Sequence, residues 1–217
     1  MRKMDGAEFD GLVDFFDGMV QSKWLSEIHE CLMRESGSWL DKTIADIGCG
    51  TGRFLLRGVD QARHVSGVDL SEQMINRANH LFQEQNVQHK ASFIVGDAMN
   101  IPLERESADI VISTCVLFLL PSPQQGLKEL KRIVAKDGQV LILNPAPEMN
   151  KGAASDYAAK HGFSEEEKAY LMKWATVSER RHRKSEAELA KMLLAVGFSS
   201  MTHIQVLDGL GLITKAF

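Results

Sequence analysis

The stretch that most restricts this chain is Ile44-Ala-Asp-Ile-Gly-Cys-Gly-Thr-Gly-Arg-Phe54. Ile44, Ala45 and Ile47 read as the end of a buried parallel strand, Gly48, Gly50 and Gly52 as a tight turn, and Thr51 to Leu56 as the opening of a helix. Glycine tolerates positive φ and lets a ligand approach the backbone, so the turn reads as one that faces a ligand. Asp46 is the unusual member. A carboxylate just before such a turn sits at the rim of the sheet, where a cationic ligand would offset its desolvation.

Further along, His64 to Asp69 reads as a second strand, with Ser71 as the N-cap of a helix carrying Met74, Ile75, Ala78, Leu81 and Phe82 at helical spacing. Asp69 falls about twenty positions beyond Gly48, where a second-strand carboxylate meets the two hydroxyls of a ribose. Ala91 to Val95 is a third strand leading into Gly96-Asp97-Ala98, and Ala108 to Ser113 a fourth. Ser122-Pro123 starts a helix with proline at its first position, and Asp137-Gly138 turns the chain into a fifth strand, Gln139 to Leu143. Strands and helices alternating at this spacing predict a parallel α/β sheet, whose ligands collect at the carboxyl ends of the strands. Asp46, Asp69, Asp97, Ser113 and Asn144 all fall at or near those ends.

The flanks are helical. Residues 6 to 36 carry one long apolar face, with Gly18 as the expected break and Phe16 and Asp17 as the side chains best placed to close over a ligand. Residues 148 to 184 interrupt the strand–helix alternation, and the Ser164/Glu167 capping box there precedes a helix with Tyr170, Leu171 and Trp174. Arg180 to Lys184 is a short basic run that reads as a solvated face, the sharper alternative being that one arginine holds an anionic substrate group. A second capping box, Ser185/Glu188, opens the last helix, and Met201 to Ala216 reads as a hairpin about Asp208-Gly209.

The 217 residues, 44% hydrophobic, fit one domain spanning 1–217, with an N-terminal helical cap over 1–40 and a helical lid inserted at 148–184. The net charge of −4 gives no general attraction to nucleic acid or to an acidic membrane. Three cysteines (Cys31, Cys49, Cys115), odd in number and widely spaced, suggest neither a disulfide framework nor a zinc site, and no metal is expected. No apolar signal core follows the first residues, and the most apolar run, Ile110 to Leu120, is too short to span a bilayer. The expectation is a cytoplasmic protein.

With these motifs in place, the chain resembles a class I S-adenosylmethionine-dependent methyltransferase of the small-molecule (type 11-like) group. Asp46 to Gly52 is similar to that family's first motif, Gly67 to Ser71 to its second-strand motif, Gly96-Asp-Ala98 with Ile101-Pro102 to its third, and Leu130 to Val134 with Asp137-Gly138 to a later region. Phe9-Asp10 and Phe16-Asp17 look like the opening helix that packs over the cofactor in this group. The resemblance implies a Rossmann-like seven-stranded sheet, mostly parallel with an antiparallel C-terminal hairpin strand and helices on both faces. It also implies S-adenosyl-L-methionine as cofactor, S-adenosyl-L-homocysteine as product, and methyl transfer to a small-molecule acceptor.

By that resemblance Asp46, Gly48, Cys49, Gly50 and Gly52 face the methionine end, and Asp69 accepts from the ribose hydroxyls. Leu70 and Met74 pack on the adenine, Asp97 and Ala98 bond its edge, and Ser113, Thr114 and Cys115 line the methionine end. Phe16, Phe118, Asn144 and Tyr157 are the substrate-side candidates, and neither Tyr157 nor His182 is assigned as a catalytic base. Where many relatives carry a histidine pair, this chain has Leu117-Phe118-Leu119-Leu120, which reads either as an apolar wall beside the transfer site, and so an apolar or aromatic acceptor, or simply as a better-packed helix. Two rivals share part of the pattern: a nicotinamide-dependent oxidoreductase, with the same glycine turn and Asp69, and a non-catalytic protein that binds the methyl donor.

Overall fold

The structure, a computed structural model, describes Arg2 and residues 4–217; Met1 and Lys3, where the expected N-terminal cap begins, lie outside the described residues. The β-branched runs bounded by turn residues form strands β1 (Thr43–Ile47), β2 (His64–Asp69), β3 (Ala91–Val95), β4 (Ala108–Thr114) and β5 (Val134–Pro145). The last third of the chain adds β6 (Met201–Val206) and β7 (Gly211–Ala216). They make one sheet in the order β3-β2-β1-β4-β5-β7-β6. The first five strands pair in parallel, and β7 runs antiparallel between β5 and β6. The order reverses between β1 and β4, and a crevice opens at such a point beyond the carboxyl ends of the strands.

Alternation along the strands sends neighbouring residues to opposite cores. Ile44, Ile110 and Leu141 pack on one side with helices α3 (Lys23–Ser36), α4 (Arg53–Leu56), α5 (Glu72–Glu84), α7 (Lys151–Lys160) and α8 (Glu165–Ser178). Ala45, Val111 and Ile142 pack on the other with α6 (Pro123–Ile133) and α9 (Glu186–Ala195). Side-chain caps start these helices where the sequence predicts them. Ser71, Ser122, Ser164 and Ser185 each accept from a backbone N–H in the first turn, the last two as complete capping boxes.

Three local expectations are corrected. The N-terminal helical region is cut at Leu12 and Ser22, giving α1 (Ala7–Asp10), α2 (Val13–Gln21) and α3, and not at Gly18. Ser22 takes an extended backbone and donates its hydroxyl to the Met19 carbonyl at 2.6 Å. Gly18 stays inside α2, where a Cβ would lie 2.2 Å from the Tyr170 Oη of α8. Next, β5 begins at Val134 rather than after Asp137-Gly138, because those residues fall within the register shift opposite Ala108–Ile110 and stay in the strand. Finally, the helix after the glycine turn is a single turn.

Within residues 148–184 the chain forms α7 and α8, and α8 buttresses α2 and α3. Trp174 stacks on Trp24 at 5.6 Å and Tyr170 meets Phe15 edge-on at 5.0 Å. Among the described residues, no helix is long and apolar enough to cross a membrane.

Candidate functional site

The carboxyl ends of β1, β2 and β4 and the loop after β3 open on one cavity. The glycine turn forms one wall. Gly48 has φ +80°, and a Cβ on it would lie 2.0 Å from Val116 Cγ2, so only glycine lets the loops after β1 and β4 meet. The amides of Gly48 and Cys49 donate to the Val68 carbonyl at 2.7 and 3.1 Å, which ties the turn to β2.

Asp46, Asp69 and Asp97 face this cavity together, and no lysine or arginine is among the described residues that line it. Asp46 is 1% exposed and its Oδ1 has no hydrogen-bond partner. Burial, helped by the Asp69 carboxylate, pushes its pKa up to about 8. Such an orphaned buried oxygen is an uncommon state that asks for a donor. Asp69 is held by its neighbours: Oδ2 accepts from the Gly50 amide and Oδ1 from the Ser71 amide, both at 2.9 Å. Burial raises its pKa, and these amide contacts oppose that rise. Asp97 Oδ1 accepts from the Met99 amide at 2.9 Å.

The two Phe–Asp pairs split their work. Phe9 and Phe16 line the cavity, while Asp10 accepts from the Ser71 hydroxyl. Asp17 accepts from Arg53 Nε at 2.6 Å, Arg53 Nη2 at 2.7 Å and Thr51 Oγ1 at 2.7 Å. The Arg53 guanidinium and the Thr51 hydroxyl more than offset burial and hold the Asp17 carboxyl below its usual pKa. The N-terminal helices are thereby fastened to the glycine turn and to the cap of α5.

Of the other site residues read from the sequence, Gly50, Cys49, Leu70, Met74, Ala98, Thr114 and Cys115 line the cavity. Cys115 holds a left-handed backbone, φ +60°, and burial pushes its thiol up to about 12, so it stays a neutral SH. Five positions stand apart from the lining. Gly52 caps α4 against Phe93. Ser113 is buried, donating to the Ile47 carbonyl at 3.0 Å across β1 and β4. Phe118 is in the core, 2% exposed. Asn144 is fully buried, its amide reaching the carbonyls of Pro145 and His182 at 3.3 and 3.4 Å. Tyr157 stacks on His161 at 4.1 Å on α7, and no residue of 148–184 reaches the cavity. In the basic run, Arg183 donates to the carbonyls of Pro147 and Met149 and Arg181 to that of Arg2, so both guanidinia serve the backbone.

Beyond the carboxylates, Thr51 and Thr114, much of the cavity wall is apolar: Met19, Val20 and Leu25 from α2 and α3, and Val116, Leu119 and Leu120 after β4. His29 also lines it, a residue absent from the sequence-based list of candidates. Its signal was present: Leu25, His29 and Leu32 share one helix face, so the histidine stands in an otherwise apolar stripe.

Residues 45–142 match the model of a family described as a methyltransferase domain. The demethylmenaquinone methyltransferase of Lactobacillus johnsonii is 31% identical over 134 residues, covering 60% of this chain and 53% of that protein. The chloroplastic tocopherol O-methyltransferase of Arabidopsis thaliana is 35% identical over 105 residues, covering 47% of this chain and 30% of the other. This chain thus spans about half the length, or less, of the curated relatives it matches. A solved S-adenosylmethionine-dependent methyltransferase from Aquifex aeolicus superposes with a TM-score of 0.68 at 18% identity, covering 99% of this chain and 98% of that one. Its likeness is one of fold. Residues 45–142 are thus similar to a methyltransferase domain, within a chain that has the fold of a solved S-adenosylmethionine-dependent methyltransferase.

Proposed function

We propose that this protein transfers a methyl group from S-adenosylmethionine to an apolar small molecule. The observation that carries the proposal is Asp46, a buried carboxyl with one oxygen unpartnered, facing a cavity with two further carboxylates and no lining cation. A ligand with an ammonium group and a sulfonium fits that charge, whereas the pyrophosphate of a nicotinamide dinucleotide would meet three carboxylates and a helix of one turn. The residues therefore fit the methyl donor and disfavour the oxidoreductase alternative.

In this account Asp46 takes the donor's ammonium group, and Asp69, oriented by the Gly50 and Ser71 amides, takes the ribose hydroxyls. Leu70 and Met74 form the apolar bed for the adenine, with Asp97 and the Ala98 backbone at its edge. The donor, when bound, supplies an electrophilic methyl on sulfur. The protein's own task is to align a nucleophile and exclude water, which can lower a barrier by about 7–11 kcal/mol. The apolar wall of Phe16, Val116, Leu119 and Leu120 does the excluding and selects an apolar acceptor. Two relatives are named for demethylmenaquinone and for tocopherol, which supports that class of acceptor.

A thermal-shift comparison tests the cofactor. At about 100 times its Kd a ligand adds about 2.7 kcal/mol, or roughly 5–10 °C for a chain of this size. S-adenosylmethionine and S-adenosylhomocysteine should give this shift and NADH none. A shift with NADH alone would overturn the proposal.

A further inference from the structure

On the side built by α2, α3 and α4 the cavity wall is Met19, Val20, Leu25, Phe54 and one polar ring, His29. That ring is 1% exposed, and neither Nδ1 nor Nε2 has a hydrogen-bond partner. It packs edge-on against Phe54 with centroids 4.8 Å apart. A buried imidazole left this way is destabilising, a cost that a leucine like Leu25 or Leu32 on the same face would avoid. What sets His29 apart from a core residue is that it also lines the cavity.

Burial, with a smaller contribution from the Arg57 charge, pulls the His29 pKa down to about 3. The ring is therefore neutral at physiological pH, with one nitrogen donating and the other offering a lone pair. Among Met19, Val20, Leu25 and Phe54 an ionised partner would lose its hydration without compensation. A neutral hydroxyl satisfies the lone pair at far lower cost, and it is the donor that an apolar nucleophilic molecule most simply carries.

We propose that His29 recognises the methyl acceptor by accepting a hydrogen bond from a hydroxyl, phenolic or enolic, on an otherwise apolar molecule. This role presupposes the methyl-transfer function above, and it adds to that function a residue and a functional group. His29 sets which apolar molecules are held: those with a hydroxyl where the ring can receive it, in preference to isosteres that lack one.

The test uses two probes of one shape, 1-naphthol and 1-methylnaphthalene, titrated into the protein after its binding of S-adenosylhomocysteine has been measured. The wild type should hold 1-naphthol at least tenfold more tightly. His29→Phe should bind the two alike, and His29→Gln, which keeps an acceptor oxygen, should retain part of the preference. In protein labelled with 15N-histidine, the unprotonated nitrogen of His29 should shift with 1-naphthol and not with 1-methylnaphthalene. An intact preference in His29→Phe overturns the assignment. So does a wild type that binds S-adenosylhomocysteine yet favours neither probe or binds neither. A tenfold loss of S-adenosylhomocysteine affinity in His29→Phe, with the naphthol preference kept, would place the ring at the cofactor instead and likewise overturn it. Failure of the wild type to bind S-adenosylhomocysteine at all refutes the underlying function, a separate and visible result.

Discussion

The state of Asp46 leads to a thermodynamic prediction about binding. With its pKa pushed up to about 8, the free protein holds a proton on this carboxyl at neutral pH. An ammonium group docking against it favours the carboxylate and returns the pKa toward the ordinary aspartate range. At pH 7 roughly 0.9 of a proton should then leave for each ligand bound, because that fraction is protonated when pKa exceeds pH by about one unit. Affinity should rise about tenfold from pH 6 to pH 7, equivalent to about 1.4 kcal/mol, and level off above pH 8. Over pH 6–7 the ligand's own α-amino group remains largely charged, so the slope belongs to the protein. Calorimetric titration of S-adenosylhomocysteine in buffers of different ionisation enthalpy reads the released proton directly. Asp46→Asn should abolish both the proton release and the slope, and at pH 8 should weaken binding about ten- to hundredfold, the worth of one hydrogen bond to a charged group. Heats independent of buffer, with equal affinity at pH 6 and pH 7, would refute the reasoning.

Other outcomes follow from the same geometry. In the ligand-free protein the raised pKa of Asp46 means the folded state binds more protons than the unfolded one, so stability should fall as pH rises from about 4 toward about 8, by at most about 1.4 kcal/mol per unit. Urea unfolding of wild type and Asp46→Asn should therefore diverge between pH 6 and pH 8, and parallel curves would contradict it. Asp17→Asn removes the carboxylate that holds Arg53 and Thr51, and should cost about 2–3 kcal/mol while exposing α2 to protease and weakening cofactor binding. Limited proteolysis unchanged from wild type would count against the fastening role. Gly67→Ala places a Cβ 2.5 Å from Phe93 and 2.8 Å from Cys49 Sγ, and should cost about 1–3 kcal/mol in chemical denaturation. Leu119→Ser with Leu120→Ser should lower affinity for apolar acceptors by about tenfold or more while leaving S-adenosylhomocysteine binding within twofold, as binding assays on both ligands will read.

Most of the scaffold could be read from the chain because its local signals agree. β2 and β3 have the predicted ends, since turn residues and β-branched runs bound them on both sides. The four serine caps form where a hydroxyl precedes a first turn. The start of β5 was hidden because pairing with β4, and not local propensity, carries the strand through Asp137-Gly138. Gly18 reads locally as a break, yet it stays inside α2, where Tyr170 approaches it from a helix some 150 positions away.

The candidate site divides the same way. Asp46, Asp69 and Asp97 sit at strand ends whose geometry the fold dictates, so their convergence was visible in advance. Phe118, Asn144 and Tyr157 depend on which way a loop or helix turns its side chains, and all three point elsewhere. For His29 the spacing shows a histidine in an apolar stripe, but its missing partners are visible only in the fold.

A crystal structure of the protein grown with S-adenosylhomocysteine tests the central claim most directly. It should show the amino group of the ligand against Asp46, the ribose on Asp69 and the adenine between Leu70 and Asp97. The ligand lodged outside this cavity, or within it with Asp46 Oδ1 still unpartnered, would contradict the account.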